Sequence, residues 1–124
     1  MRRLSSLVAI ALIGWMGLAA GAARAQDPAV VNAKTVQVRL ENDRVRVLEA
    51  VLQPGEKEAI HSHPAYVTYV VAGGKLRMHG ADGSARESVV QTGDVLYREP
   101  LVHWAENIGD APVRFLLVEL KTPR

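Results

Sequence analysis

Cysteine is absent from all 124 residues. That excludes disulfides, thiolate metal sites, a cysteine nucleophile and a lipid-modified N-terminal cysteine. Also missing are any internal repeat of fixed period and any low-complexity tract. Beyond the first 25 residues no window carries a helical period, so helix is not the main element. The length suits one domain and leaves little for a second. Apolar residues make up 48% and charged residues 23%, which suits a folded chain. The formal charge of +2 and a pI near 9.2 raise the question of a nucleic-acid or membrane partner.

The N-terminus answers that question. Met1-Arg2-Arg3 is followed by an apolar stretch from Leu7 to Ala20 and then by Ala23-Arg24-Ala25. A basic start, a short apolar run and an A-x-A site predict a cleaved signal peptide over residues 1–25, with the cut after Ala25. The run is shorter than the roughly 20 residues a membrane-spanning helix needs. Leu4-Ser5-Ser6 after the two arginines is a poor twin-arginine match, so the signal is of Sec type. A periplasmic or secreted protein is expected, with no membrane association after cleavage. Cleavage removes Arg2, Arg3 and Arg24, leaving 12 basic residues against 13 acidic ones and a charge of −1. No Lys/Arg cluster remains, so nucleic acid is not an expected partner.

The mature chain reads as strands and turns. Residues 26–34 are expected to be a flexible lead-in, and residues 35–124 one domain. Val45–Leu52 largely alternates, and Tyr66–Val71 is β-branched and aromatic throughout. Short strands are also expected at 60–63, 75–79, 86–91, 95–97, 102–106 and 113–120. Gln53-Pro54-Gly55-Glu56, Gly73-Gly74, Ala81-Asp82-Gly83-Ser84, Thr92-Gly93-Asp94 and Asn107-Ile108-Gly109-Asp110 punctuate them. Many short strands at regular spacing point to an all-β sandwich or barrel.

Four histidines remain: His61, His63, His79 and His103. Residues two apart on a strand share a face, so His61 and His63 can reach one ion. His103 sits in a second strand of similar character. Three imidazoles with open positions make a catalytic rather than a closed metal geometry.

The flanks carry a resemblance. Gly55, five residues, His61-Ser62-His63 and a strand ending at Gly74 resemble the first motif of the cupin family. Gly93, His103, three residues and Asn107 resemble the second. The resemblance implies a single-domain jelly-roll β-barrel, also called a double-stranded β-helix. It also implies one divalent transition metal ion on His61, His63 and His103. The family's acidic ligand falls on Val67, and neither Tyr66 nor Thr68 is a carboxylate. The turn before His103 reads Arg98-Glu99-Pro100, which departs from the family pattern. Glu58 is expected to point away from the His61 face by alternation. Three neutral imidazoles leave the ion its full charge and open positions, which favours a small anionic or chelating substrate.

Some three-His cupins are iron(II) dioxygenases, so a dioxygenase-like oxidoreductase with Fe(II) is the implied activity. Imidazole also suits Zn, Mn, Ni and Cu. A non-catalytic ligand- or metal-binding module and an isomerase or epimerase are the alternatives. Tyr69, sharing parity with Val67, is the candidate catalytic hydroxyl. His79 is expected at the surface, and Asn107 on turn backbone groups. Trp104 should face away from His103. A homodimer is expected, with Trp104 and the 45–52 strand as contacts.

Overall fold

The structure is a computed structural model that describes residues 26–123. The expected signal peptide therefore lies outside the described residues. Nine strands form two antiparallel sheets: β1 (Val36–Glu41), β2 (Val45–Leu52), β3 (His61–His63), β4 (Tyr66–Ala72), β5 (Gly74–Gly80), β6 (Ala85–Val90), β7 (Val95–Arg98), β8 (Leu101–Asn107) and β9 (Val113–Leu120). The five-stranded sheet runs β1-β2-β9-β4-β7, and the four-stranded sheet runs β3-β8-β5-β6. The all-β sandwich expected from the sequence is what folds. β1 was not expected, although Val36, Val38 and Leu40 alternate through it.

The core lies between the sheets in two apolar groups joined by Phe115. Leu52, Val70, Leu76, Val90, Ala105 and Val113 form one. Val36, Leu48, Ala50, Tyr66 and Leu117 form the other, with Leu101 against it. Three turn glycines among the described residues take a left-handed conformation, among them Gly55 at φ 82° and Gly93 at φ 93°. A side chain would strain these turns. The Gly55 turn leads into the segment ahead of β3, which carries His61 and His63, and the Gly93 turn leads into β7. Gly74 has a different reason: a Cβ there would stand 2.6 Å from the Val113 side chain. Asn107 is fully buried and satisfied. Its amide donates to the carbonyls of Leu52 and Ala111, and its oxygen accepts from Gly109 N–H, all at 2.9 Å.

The segment expected as a flexible lead-in, residues 26–34, carries local structure. It holds a one-turn helix, α1 (Pro28–Val31), with Pro28 buried. Asp27 caps it by accepting from Ala29 N–H at 2.9 Å, and proline in the first turn presets the backbone. Gln26 then covers the edge of β3, its carbonyl accepting Ser62 N–H at 2.9 Å. One turn is too short to show a period, which is why the sequence pattern misses it. The 45–52 strand, expected as a dimer contact, lies between β1 and β9 and has no free edge.

Candidate metal centre

β3 and β8 pair so that His61 stands opposite His103. His61 and His63 are buried on the inner face, and Ser62 between them is not. The three rings meet edge to face, with centroids 4.8 Å apart for His61–His63 and His61–His103, and 5.3 Å for His63–His103. One ring nitrogen from each lies within 4.8 Å of the others. The three expected ligands are therefore together.

The surrounding residues fix which nitrogen faces inward. His63 Nδ1 is 2.7 Å from Glu119 Oε1, so Nδ1–H donates and Nε2 is turned away from that carboxylate. Glu119 also accepts from Arg46 Nε at 2.7 Å, and Arg46 donates its terminal nitrogen to Asp27 at 2.7 Å. Burial raises the Glu119 carboxyl, but the hydrogen bonds from His63 and Arg46 outweigh it and hold the group ionised. His61 Nδ1 lies 2.8 Å from the Ala59 carbonyl and donates to it. Asn32 clamps that loop, accepting Ala59 N–H at 2.7 Å and donating to Ala59 O at 3.1 Å. Both β3 imidazoles are thus oriented through Nδ1, with Nε2 available.

Electrostatics keep the site ready for a cation. Burial pushes His61 down to about 4 and His103 down to about 3, so both are neutral at pH 7. Neutral imidazole is the ligating form. The donor set fits a divalent transition metal ion. Nitrogen ligands alone do not choose among Fe, Zn, Mn, Ni and Cu.

Three sequence expectations need correction. Tyr69 is 45% exposed and points outward, away from the histidines. The inward row of β4 is Tyr66, Thr68 and Val70. The phenol at the site is Tyr66, whose ring centroid is 4.6 Å from that of His63. Burial pushes Tyr66 up to about 12, keeping its proton. Val67 shares the outward parity of Tyr69, so Thr68 stands on the inner face where a ligand from β4 would be.

Glu58 is the third correction. Its side chain is 8% exposed and faces inward, with Oε2 3.8 Å from His61 Nε2. Alternation fails there because residues 58–60 belong to no strand. Burial raises Glu58 to about 7, opposed by the hydrogen bond from Ala105 N–H.

These groups open on a cavity of about 100 Å³. That is room for several water-sized groups, hence a small ligand. Arg86 and Arg98 line it along with Thr68, Tyr66 and apolar side chains. His79 and Trp104 are on the opposite face of the sheet, stacked at 3.5 Å.

The family model "Cupin domain" matches residues 48–119. The chain is a cupin. A solved cupin domain from Bordetella pertussis Tohama I shares 28% identity, with a TM-score of 0.65 over 70% of this chain and 92% of that one. A Klebsiella pneumoniae protein with a double-stranded β-helix domain shares 29%, with a TM-score of 0.57 over 68% and 73%. Oxalate decarboxylase of Bacillus subtilis is 35% identical over 69 residues, 52% of this cupin. This cupin spans only 18% of that relative's length.

Proposed function

We propose that this cupin holds one divalent transition metal ion, Fe(II) first, on His61, His63 and His103. We further propose that it acts as a dioxygenase-like oxidoreductase on a small chelating anion. The observation that carries the reading is the inward aim of the β3 imidazoles, with Nδ1 of each already engaged. A bound metal would supply Lewis-acid polarisation and open positions for substrate and O2. Arg86 and Arg98 in the cavity lining attract an anion by charge, and a carboxylate suits a guanidinium fork. Tyr66, keeping its proton, can donate a hydrogen bond to it. Apolar walls from Leu96, Phe115 and Leu117 limit water. The oxalate decarboxylase relative supports a small carboxylate as substrate class.

The protein purified after export, with an N-terminus at Gln26, tests this. Reconstituted with Fe(II), Mn(II), Zn(II), Ni(II) or Cu(II), it should retain about one ion per chain. His61→Ala and His103→Ala should lose it. No retention of any of these ions overturns the site. Oxygen uptake on a panel of dicarboxylates, 2-oxo acids and diketones should follow. Metal retention with no turnover on the panel returns the reading to a non-catalytic binding module.

A homodimer remains our reading of the assembly. Tyr69, Val95 and Tyr97 are exposed side by side on the outer face of β4 and β7, a surface a second copy could cover. Light scattering on the same sample should give twice the chain mass, and a single-chain mass removes the dimer.

A further inference from the structure

Resting on that metal reading, we infer that Glu58 supplies the carboxylate ligand of the ion, entering from the loop ahead of β3 instead of from β4. On β4 the inward side chains nearest the histidines are Tyr66 and Thr68, and neither bears negative charge. Glu58 reaches the same cavity by another route. The Gly55 turn is tied to β8 by Gly55 N–H donating to Asn107 O at 2.9 Å. Lys57 then bridges Glu106, and Glu58 N–H donates to Ala105 O at 2.9 Å. After that the chain turns at Ala59, held by Asn32. This path lays Glu58 along β8, next to the inner row that contains His103 and Ala105.

The surroundings of this carboxylate are unlike those of Glu119. Glu119 is equally hidden but accepts from Arg46 and His63. Glu58 accepts a single hydrogen bond, from Ala105 N–H at 3.0 Å. No lysine or arginine pairs with it among the described residues; its one charged-type neighbour is His61, at 3.8 Å. Ionised, this carboxylate would be buried with one hydrogen bond and no cation, which is unfavourable; without a metal it is relieved by holding its proton, and a cation can take that proton's place. Across the 3.8 Å gap stands Nε2 of His61, a neutral imidazole whose Nδ1 is engaged, and His61 is one of the three clustered histidines. A divalent ion between the two satisfies both. A carboxylate also offsets the charge that three neutral imidazoles leave on the ion.

Glu58→Gln is the test, because its amide oxygen can still accept from Ala105 N–H. Unfolding curves establish that the variant folds. Co(II) titration then gives affinity and the visible ligand-field spectrum for wild type, Glu58→Gln and the remote control Glu41→Gln. The expected result is one Co(II) bound by Glu58→Gln at least about 100-fold more weakly, above the 10- to 100-fold that losing a residue outside the ligand set costs. Its spectrum should differ from wild type, and Glu41→Gln should match wild type in both. A Glu58→Gln spectrum that superimposes on wild type overturns the inference while leaving the three-His site standing. Wild-type protein that binds no Co(II) overturns both.

Discussion

Histidines stand on both faces of the β3-β8-β5-β6 sheet, in different company. On the inner face, His61 and His63 each use Nδ1 on a fixed acceptor and turn Nε2 toward His103. On the outer face, His79 lies flat on Trp104, rings parallel at 3.5 Å. Its nearest carboxylate is Glu106, at 3.5 Å, shared with Arg77 and Lys57. His103 and Trp104 are sequence neighbours, so alternation alone sends one ring to each chemistry. A histidine here is suited to ligation when the fold occupies one nitrogen and leaves the other facing a cavity. Burial without that division gives only packing.

The carboxylates behind the two groups sharpen the contrast most. Glu119 links His63 to Arg46, and Arg46 links on to Asp27. Removing Glu119 leaves a mostly buried guanidinium short of a partner and His63 without its acceptor. Glu119→Ala should destabilise the fold by about 3 kcal/mol or more. Glu106→Ala, whose ion pairs are longer and more solvated, should cost about 1 kcal/mol or less. Urea unfolding of both variants checks the difference. Equal losses would mean that the Glu119 chain is no more structural than the surface pairs.

The sequence pattern reveals the strands and the histidines better than it reveals what supports them. β3 and β8 are legible because His61, His63 and His103 fall at motif spacing. β4 is legible as a strand, but Tyr66–Val71 is so uniformly β-branched or aromatic that no clear polar/apolar alternation reports which side is inward. That is how Tyr69 displaced Tyr66 as the candidate phenol, and Val67 displaced Thr68. Glu58 was set on the wrong face by treating a loop as extended chain. Asn32 and Asp27 act from a one-turn helix with no period to detect. Glu119 did leave a signal: it continues the inward row Val113, Phe115, Leu117 of β9, where a lone acid in an apolar row asks for a partner. Its partners are far away in sequence, at Arg46 and His63, and only the fold brings them together.

The inner face should also respond to acid more than packing alone predicts. His61 is held at about 4 and His103 at about 3, against an ordinary 6.5. Below pH 6.5 the unfolded chain therefore takes up protons that the folded chain refuses, and stability falls. The loss continues to about pH 4 for His61 and pH 3 for His103. Glu58 works the other way. Folded, it binds its proton near pH 7 instead of 4.5, so it adds stability as the pH falls through that window. Two imidazoles outweigh one carboxyl between pH 6.5 and 4.5. The thermal midpoint of the metal-free protein should drop across that range, and Glu58→Gln should make the drop steeper. A wild-type midpoint that holds level or rises from pH 6.5 to 4.5 contradicts this balance.

The smallest effect belongs to the outer face. His79→Ala removes a ring stacked on Trp104 and one neighbour of Glu106. Aromatic pairs contribute about 0.5–1.5 kcal/mol beyond their buried area, and the His79 side chain is 18% exposed. A loss near 1 kcal/mol is expected, with metal stoichiometry unchanged, because no atom of His79 faces the cavity. Unfolding and metal analysis on one preparation read both quantities. Loss of metal in His79→Ala would mean that the two faces of the sheet are coupled through β8, with the Trp104 ring setting the position of His103 beside it.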